Sequence, residues 1–392
     1  MTQQYAERAT AAAPRGARNA DLRDLVTILE DHRDRKLDVV TSASALSFRD
    51  GSVQVEGIEQ QITADGVTTV DGTYRPTAVA DEGIAEKLKI PVGYLRRMRE
   101  ENVPLLDENV NAWLRQDPHR RFMLRALKGD RAPGAAPAEG VARALMSDSY
   151  KVMDNLDILF AALEGVQKAG HPTNVTGCDL TDRRMYVRVQ SEAVAVRAPE
   201  LLSGYRSPFD GRTGDQLPMV SAGFVITNSE VGAGAWSVTP RVVMQVCTNG
   251  LTMPMDVMRA VHVGAKHDEG VVSWSVETQR KELEVITSKT ADAVKTFLSR
   301  DYVEAKLREI QAAAGKPVAE PTKTIEHVTT ALKISKETKE TILSHFVRGG
   351  QMTAGGVMQA VTSTAQTLGD ADQAAALEAL ALPALTAAAA HG

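Results

Sequence analysis

Between residues 173 and 276 apolar and polar residues trade places at every second position, and this stretch has the strongest strand character in the chain. Met185-Tyr-Val-Arg-Val-Gln190, Gly223-Phe-Val-Ile-Thr227, Ala235-Trp-Ser-Val238 and Arg241-Val-Val-Met-Gln-Val246 each alternate cleanly. A period of two sends alternate side chains to opposite faces of a pleated strand, so these runs read as half-buried strands. The short Asn228-Ser-Glu-Val-Gly-Ala-Gly234 connection favours an antiparallel meander.

Around this block the period changes to helical. Leu22, Leu25, Val26, Ile28 and Leu29 mark a first helix over Asp21–Arg35. Leu46, Phe48, Val53 and Val55 then flank Asp50-Gly51, a hairpin signal because glycine tolerates the positive φ of a tight turn. Helical patterns follow at Asp81–Glu101, Leu105–Arg115 and Asn155–Lys168. A long one over Glu277–Ala314 is closed by Pro317 and Pro321, and further helices over 323–382 are broken at Gly349-Gly350, Gly355-Gly356 and Gly369. Residues 129–140, rich in Pro, Gly and Ala, read as a flexible loop between two short strands.

The expected fold is α+β: a central antiparallel β-meander sheet flanked by N-terminal helices and a long helical C-terminal region. The expected divisions are a disordered leader at 1–20, an α/β region with hairpin and helical hairpin at 21–120, and a β-rich core at 121–276. A helical region at 277–382 and a tail at 383–392 complete the chain.

Charge is distributed unevenly along this plan. The chain of 392 residues has a net charge of −5, yet residues 113–267 hold 18 Lys/Arg against 15 Asp/Glu, which leaves the flanks at −8. Segments 113–151 and 183–212 carry net charges of +4 and +3, and 12 of their 14 cations are arginine. Guanidinium forks bind phosphate at two points, which ammonium does less well; solvated strand faces would show the same runs. With 43% apolar residues, no apolar run near the ~18 residues of a membrane span and no secretory order at the N-terminus, the chain reads as soluble and intracellular. Two cysteines, Cys178 and Cys247, cannot form a disulfide framework.

Several motifs carry chemistry. Gly83–Met98 has the apolar spacing of a helix-turn-helix with Arg96, Arg97 and Arg99 along its second helix, and a plain helical hairpin has the same spacing. Cys247-Thr-Asn-Gly-Leu251 ends a strand in a sharp turn. Cys247 with His262 and His267 makes a conceivable ligand set or thiol–imidazole pair, but the spacing matches no zinc or thiol-enzyme signature. No metal and no cofactor is therefore expected. The glycines of Asn228–Gly234 admit either a phosphate or a plain hairpin loop. Walker, Gly-x-Ser-x-Gly and His-Glu-x-x-His patterns are missing, which disfavours nucleotide hydrolases, serine hydrolases and zinc proteases. Tyr150, Tyr186 and Tyr205 stand among the arginines, the mixture that stacks on single-stranded bases.

Taken in order, several segments resemble the phage/plasmid-like proteins grouped as domain of unknown function 932. They are Ile90–Met98, Pro104-Leu-Leu with Asn109–Leu114, Arg143–Lys151 with Asp154-Asn155, Val225–Gly232 leading to Val246–Leu251, and Ala360–Ser363. The resemblance implies a phage, prophage or plasmid setting in a bacterial cytoplasm. It also implies a set of motif polar residues: Arg143, Ser147, Tyr150, Asn155, Asn228, Ser229, Cys247, Asn249 and His262. The leading expectation is a protein that binds single-stranded nucleic acid in recombination or replication. Arg121, Arg125, Arg143, Arg184 and Arg188 would be its phosphate contacts, with Tyr150 and Tyr186 as stacking side chains. One alternative is an enzyme using Cys247, Asn249, His262, Ser147 and Tyr150. Another is a homo-oligomeric structural or interaction protein assembled through the C-terminal helices.

Overall fold

Two seven-stranded sheets stand side by side, each packed on one face by helices. The structure, a computed structural model, describes residues 16–59, 61–63, 66–129, 138–216, 219–244, 250–252, 256–260, 270–271 and 276–391. In chain order the strands are β1 (Ala17–Ala20), β2 (Lys36–Ser42), β3 (Leu46–Arg49), β4 (Ser52–Val55), β5 (Gln61–Thr63), β6 (Gly66–Thr68), β7 (Gly72–Pro76), β8 (Arg121–Leu127) and β9 (Gly140–Ser147). They continue with β10 (Asn174–Leu180), β11 (Met185–Arg197), β12 (Met219–Asn228), β13 (Trp236–Met244), β14 (Gly250–Thr252), β15 (Met258–Ala260) and β16 (Gly270–Val271). The helices are α1 (Leu22–Arg35), α2 (Ala78–Leu88), α3 (Val92–Glu101), α4 (Val103–Gln116), α5 (Asn155–Ala169) and the short α6 (Pro199–Leu202). The C-terminal set is α7 (Val276–Phe297), α8 (Arg300–Ala314), α9 (Pro321–Ala331), α10 (Lys336–Gly349), α11 (Ala354–Thr367), α12 (Ala371–Ala379) and α13 (Ala381–His391).

The first sheet runs β1-β10-β11-β12-β13-β14, with β15 also on β13, and is antiparallel throughout. It contains the alternating strands recognised in the sequence. Val187, Val189, Phe224, Ile226, Trp236 and Val238 point to one face, where α5, α7 and the C-terminal helices cover them. The fold is α+β as expected, but among the described residues the sheet is one of two of seven strands, and β5 and β6 form a separate two-stranded ribbon. The second runs β16-β2-β8-β9-β7-β4-β3, so β2, β3, β4 and β7 join β8 and β9 across the expected boundary at residue 120. Its β7–β9 pairing is parallel and the rest antiparallel. Helices α2 to α4 bury Ile84, Leu95, Leu106 and Val110 against Phe122, Leu124 and Val53.

The Gly83–Met98 motif forms the helical hairpin α2–α3, with Lys89 in the left-handed conformation at φ 58° where a glycine is usual. Its arginines are held by carboxylates: Arg99 forks onto Asp81 at 2.6 and 2.7 Å, Arg96 reaches Glu82 at 2.5 Å and Arg97 reaches Glu101 at 2.8 Å.

At the C-terminus the expected tail is helix α13, which buries Ala381, Ala384, Leu385 and Ala388 in the core. Together α12 and α13 span Ala371–His391, long and apolar enough by mean hydropathy for a membrane crossing. Here they pack on α9, α11 and β14. At the other end, Ala17–Ala20 of the expected leader forms edge strand β1.

Candidate functional site

The outward face of the first sheet is polar, and its register arranges three rows across the strands. Asp179, Tyr186, Thr227 and Ser237 form one row; Gly177, Arg188, Val225 and Thr239 the next; Gln190, Gly223, Arg241 and Thr252 the third. These positions share a face because each is two residues from the last along its strand. The rows line the floor of a groove of about 660 Å³, with the α11 C-terminus and α12 as one wall and Arg18 and Asn19 at its far edge.

Four guanidiniums line this groove, from Arg18, Arg184, Arg188 and Arg241, against two carboxylates, Asp179 and Glu378. Arg188 bonds Asp179 and Asn19, and Arg18 reaches the same Asp179 carboxylate at 2.9 Å. Burial would raise the Asp179 carboxyl, but the bonds and charge of Arg188, the Asn19 backbone N–H and Arg18 outweigh it and hold its pKa below the usual carboxylate range. Arg18 also donates to the Leu368 carbonyl at 3.2 Å, and with five N–H donors on each guanidinium the pair still has donors in excess of these partners. Gly177 opposite Arg188 makes room for that geometry: a Cβ there would stand 3.1 Å from Arg188 Nη2. Arg184, exposed, folds back to the Ala233 carbonyl, and a Cβ on Gly234 would stand 2.9 Å from its Nη2.

Arg241 and Tyr186 are covered. Arg241 donates to Glu378 of α12 at 2.8 Å, and the Tyr186 hydroxyl donates to Asp372 of the same helix at 2.7 Å. Ala371 and Ala375 close over the Tyr186 ring and Val225. Burial and the Asp372 carboxylate that accepts its proton hold the Tyr186 phenol far above its ordinary pKa. As a stacking side chain Tyr186 is therefore shielded by α12.

Arg125 and Arg143, expected as phosphate contacts, lie elsewhere. They are 2% and 3% exposed, at the junction of the two sheets. Asp38 pairs Arg125 across β2–β8 at 3.2 Å, and Arg125 also reaches Asp154 at 2.5 Å. A β-bulge leaves Arg143 opposite no partner between Ala142 and Ala144, which turns its side chain to the Arg125 face, 2.5 Å from Glu230. Lys36 adds a bond to Asp154 at 2.5 Å, and the Asn155 N–H donates to Glu230 at 2.6 Å. Asn228 donates to Asn155 Oδ1 and to the Met153 carbonyl, both at 2.9 Å. Three cations thus meet three carboxylates, so this network joins the sheets, and its burial leaves both arginines unavailable to an outside phosphate. Burial would raise the Glu230 and Asp154 carboxyls, yet Arg125 with Arg143 or Lys36 holds both below the usual range.

The Asn228–Gly234 loop owes its shape to this junction. It delivers Glu230 inward, Ser229 Oγ accepts the Ala233 N–H at 3.0 Å, and Gly232 takes φ +80°. Tyr150 is half-buried over the same loop, its hydroxyl donating to the Ser229 carbonyl at 3.4 Å. Burial, its first cause, pushes its pKa up to about 12. Arg121 and Ser147 lie on the second sheet, in a hollow of their own. Cys247, Asn249, His262 and His267 lie outside the described residues. Among the described residues no three His, Cys, Asp or Glu side chains are grouped to hold a metal ion.

Of the seven residues expected to contact nucleic acid, the groove therefore brings together Arg184, Tyr186 and Arg188. It adds Arg18 and Arg241, which sequence reasoning missed. Arg241 had a signal, since it opens an alternating run in phase with the polar positions; Arg18 had none, standing in an aperiodic segment. No family model, curated protein or solved structure matches the chain, so the family resemblance rests on its quoted segments alone.

Proposed function

We propose that the polar face of the first sheet binds single-stranded nucleic acid, in recombination or replication in a phage or plasmid setting within the bacterial cytoplasm. The observation that carries this reading is the arginine-lined groove over one sheet face, with Arg18, Arg184 and Arg188 accessible around a floor of hydroxyl and amide side chains. Guanidiniums in a groove follow a phosphate backbone whatever its sequence, while Gln190, Thr227 and Thr239 offer further hydrogen bonds to sugars or bases. One wall is a helix, so the groove suits a single chain of phosphates.

The test is binding of a labelled single-stranded oligonucleotide to the wild type and to Arg184→Ala/Arg188→Ala. The variant is expected to lose about tenfold or more in affinity, as for charge-assisted bonds worth roughly 1.5–3 kcal/mol each, with the variant confirmed to be folded at the temperature of the assay. Equal affinity of the two proteins would refute the reading.

A further inference from the structure

On the other sheet, away from the groove, two adjoining hollows share the side chains of Arg120 and Phe122. The first, about 430 Å³, is lined by Lys87, His119, Arg120 and Arg121 with a single carboxylate, Asp148. The second, about 350 Å³, has an apolar wall of Trp113, Leu88, Leu114 and Ala43, with Lys89, Gln116 and Asp117 also lining it. We propose that this pair of hollows is a nucleotide-binding site, the cationic part taking the phosphate and the Trp113 part the planar base.

The local chain explains the arrangement. Helix α4 ends at Gln116, and Asp117-Pro118 turns the chain so that His119, Arg120 and Arg121 emerge together at the start of β8. The Arg120 guanidinium lies 4.9 Å above the Phe122 ring, which holds it at the boundary of the two hollows. Among the described residues Arg120 has no carboxylate partner. Arg121 makes a long ion pair with Asp148 at 3.6 Å, beyond hydrogen-bond range, which a phosphate can displace. Lys87 bonds Glu86, whose carboxylate is solvent-facing and exchanges readily for a phosphate. Trp113 is 45% exposed, unusual for so large an apolar surface, and it flanks the hollow that Arg120 closes. A phosphate alone has no use for the apolar half, and an apolar ligand none for the cations. A phosphate ester joined to an aromatic base fits both.

That ligand comes either as a free mononucleotide or as one unit of a strand, and the experiment separates the two. Intrinsic tryptophan fluorescence reports the site through the difference between the wild type and a Trp113→Phe variant, which retains the chain's other two tryptophans, Trp236 and Trp274, and so isolates the Trp113 signal. Adenosine monophosphate, inorganic phosphate and a short oligonucleotide are titrated into the full chain. The background is Arg184→Ala/Arg188→Ala, so that the groove does not contribute and its failure or success is read separately. Saturable quenching by adenosine monophosphate assigns a free nucleotide; quenching by the oligonucleotide alone assigns a unit within a strand; either supports the site. Arg120→Gln/Arg121→Gln should then weaken binding tenfold or more, and Trp113→Phe several-fold by calorimetry. Quenching by neither ligand, unchanged affinity in the arginine variant, or inorganic phosphate binding as tightly as the nucleotide would overturn the proposal.

Discussion

Arg125 and Arg188 are both arginines within β-strands, and their surroundings give them opposite tasks. Around Arg125 the carboxylates of Asp38, Asp154 and Glu230 arrive from three separate elements, and the guanidinium is sealed between the sheets. Arg188 faces the groove with one shared carboxylate. Removing one partner of a buried network strands the rest, so Arg125→Met should destabilise the chain by about 3–5 kcal/mol in urea unfolding, whereas Arg188→Ala, which leaves the buried Asp179 carboxylate still bonded by Arg18 and the Asn19 N–H, should cost less, about 1–2 kcal/mol. Similar losses would contradict the division. His32 beside this network is buried, and among the described residues neither ring nitrogen has a hydrogen-bond partner. Burial, then the Arg143 charge, lowers its pKa to about 4. The unfolded chain therefore binds a proton near pH 6.5 that the folded chain refuses until about pH 4, so stability must fall as pH drops through that window. The loss expected is roughly 3 kcal/mol, and His32→Leu should remove that slope; a slope that survives the substitution would place its origin elsewhere. None of this was legible locally: Arg125 and Arg188 look alike in sequence, and the partners that seal Arg125 come from elements 29 to 105 residues away, while Asp179, nine residues from Arg188, bonds it only through the strand pairing.

Among the elements, α12 has the least informative sequence and a large effect on the site. Ala371–Ala379 reads only as an alanine-rich helix, yet Asp372 and Glu378 meet Tyr186 and Arg241, 186 and 137 residues away in sequence. Those carboxylates occupy the polar groups of two side chains that line the groove. Glu378→Gln should release the charge of Arg241 and strengthen oligonucleotide binding about two- to fivefold, the scale of a partly exposed ion pair. Weakened binding would show that Glu378 supports the site. By contrast, strands β10 to β13 were legible, because a face open to solvent and a face under helices impose strict alternation. The Asp50-Gly51 hairpin was legible for an equally local reason, glycine at φ +76°. The second sheet was not: β7 pairs in parallel with β9 across an interval that contains three helices, and no local pattern encodes that pairing.

At the scale of the whole molecule, a net charge of −5 coexists with a basic groove because the carboxylates are placed elsewhere or paired. Of the central arginines seen in the sequence, Arg125 and Arg143 lie in a buried junction, Arg184 and Arg188 on a sheet face, and Arg120 and Arg121 beside a hollow on the other sheet. The first pair is sealed from ligands, and the other two pairs line open surface. The account therefore stands on whether the open face binds a polyanion. A salt titration of single-stranded oligonucleotide binding, run in parallel on wild type and Arg184→Ala/Arg188→Ala, tests this most directly. Contacts from Arg18, Arg184 and Arg188 to three phosphates predict that log affinity falls with log salt at a slope of roughly −2, and that the variant shows both weaker binding and a shallower slope. Binding that ignores salt, or slopes that coincide in the two proteins, would contradict it.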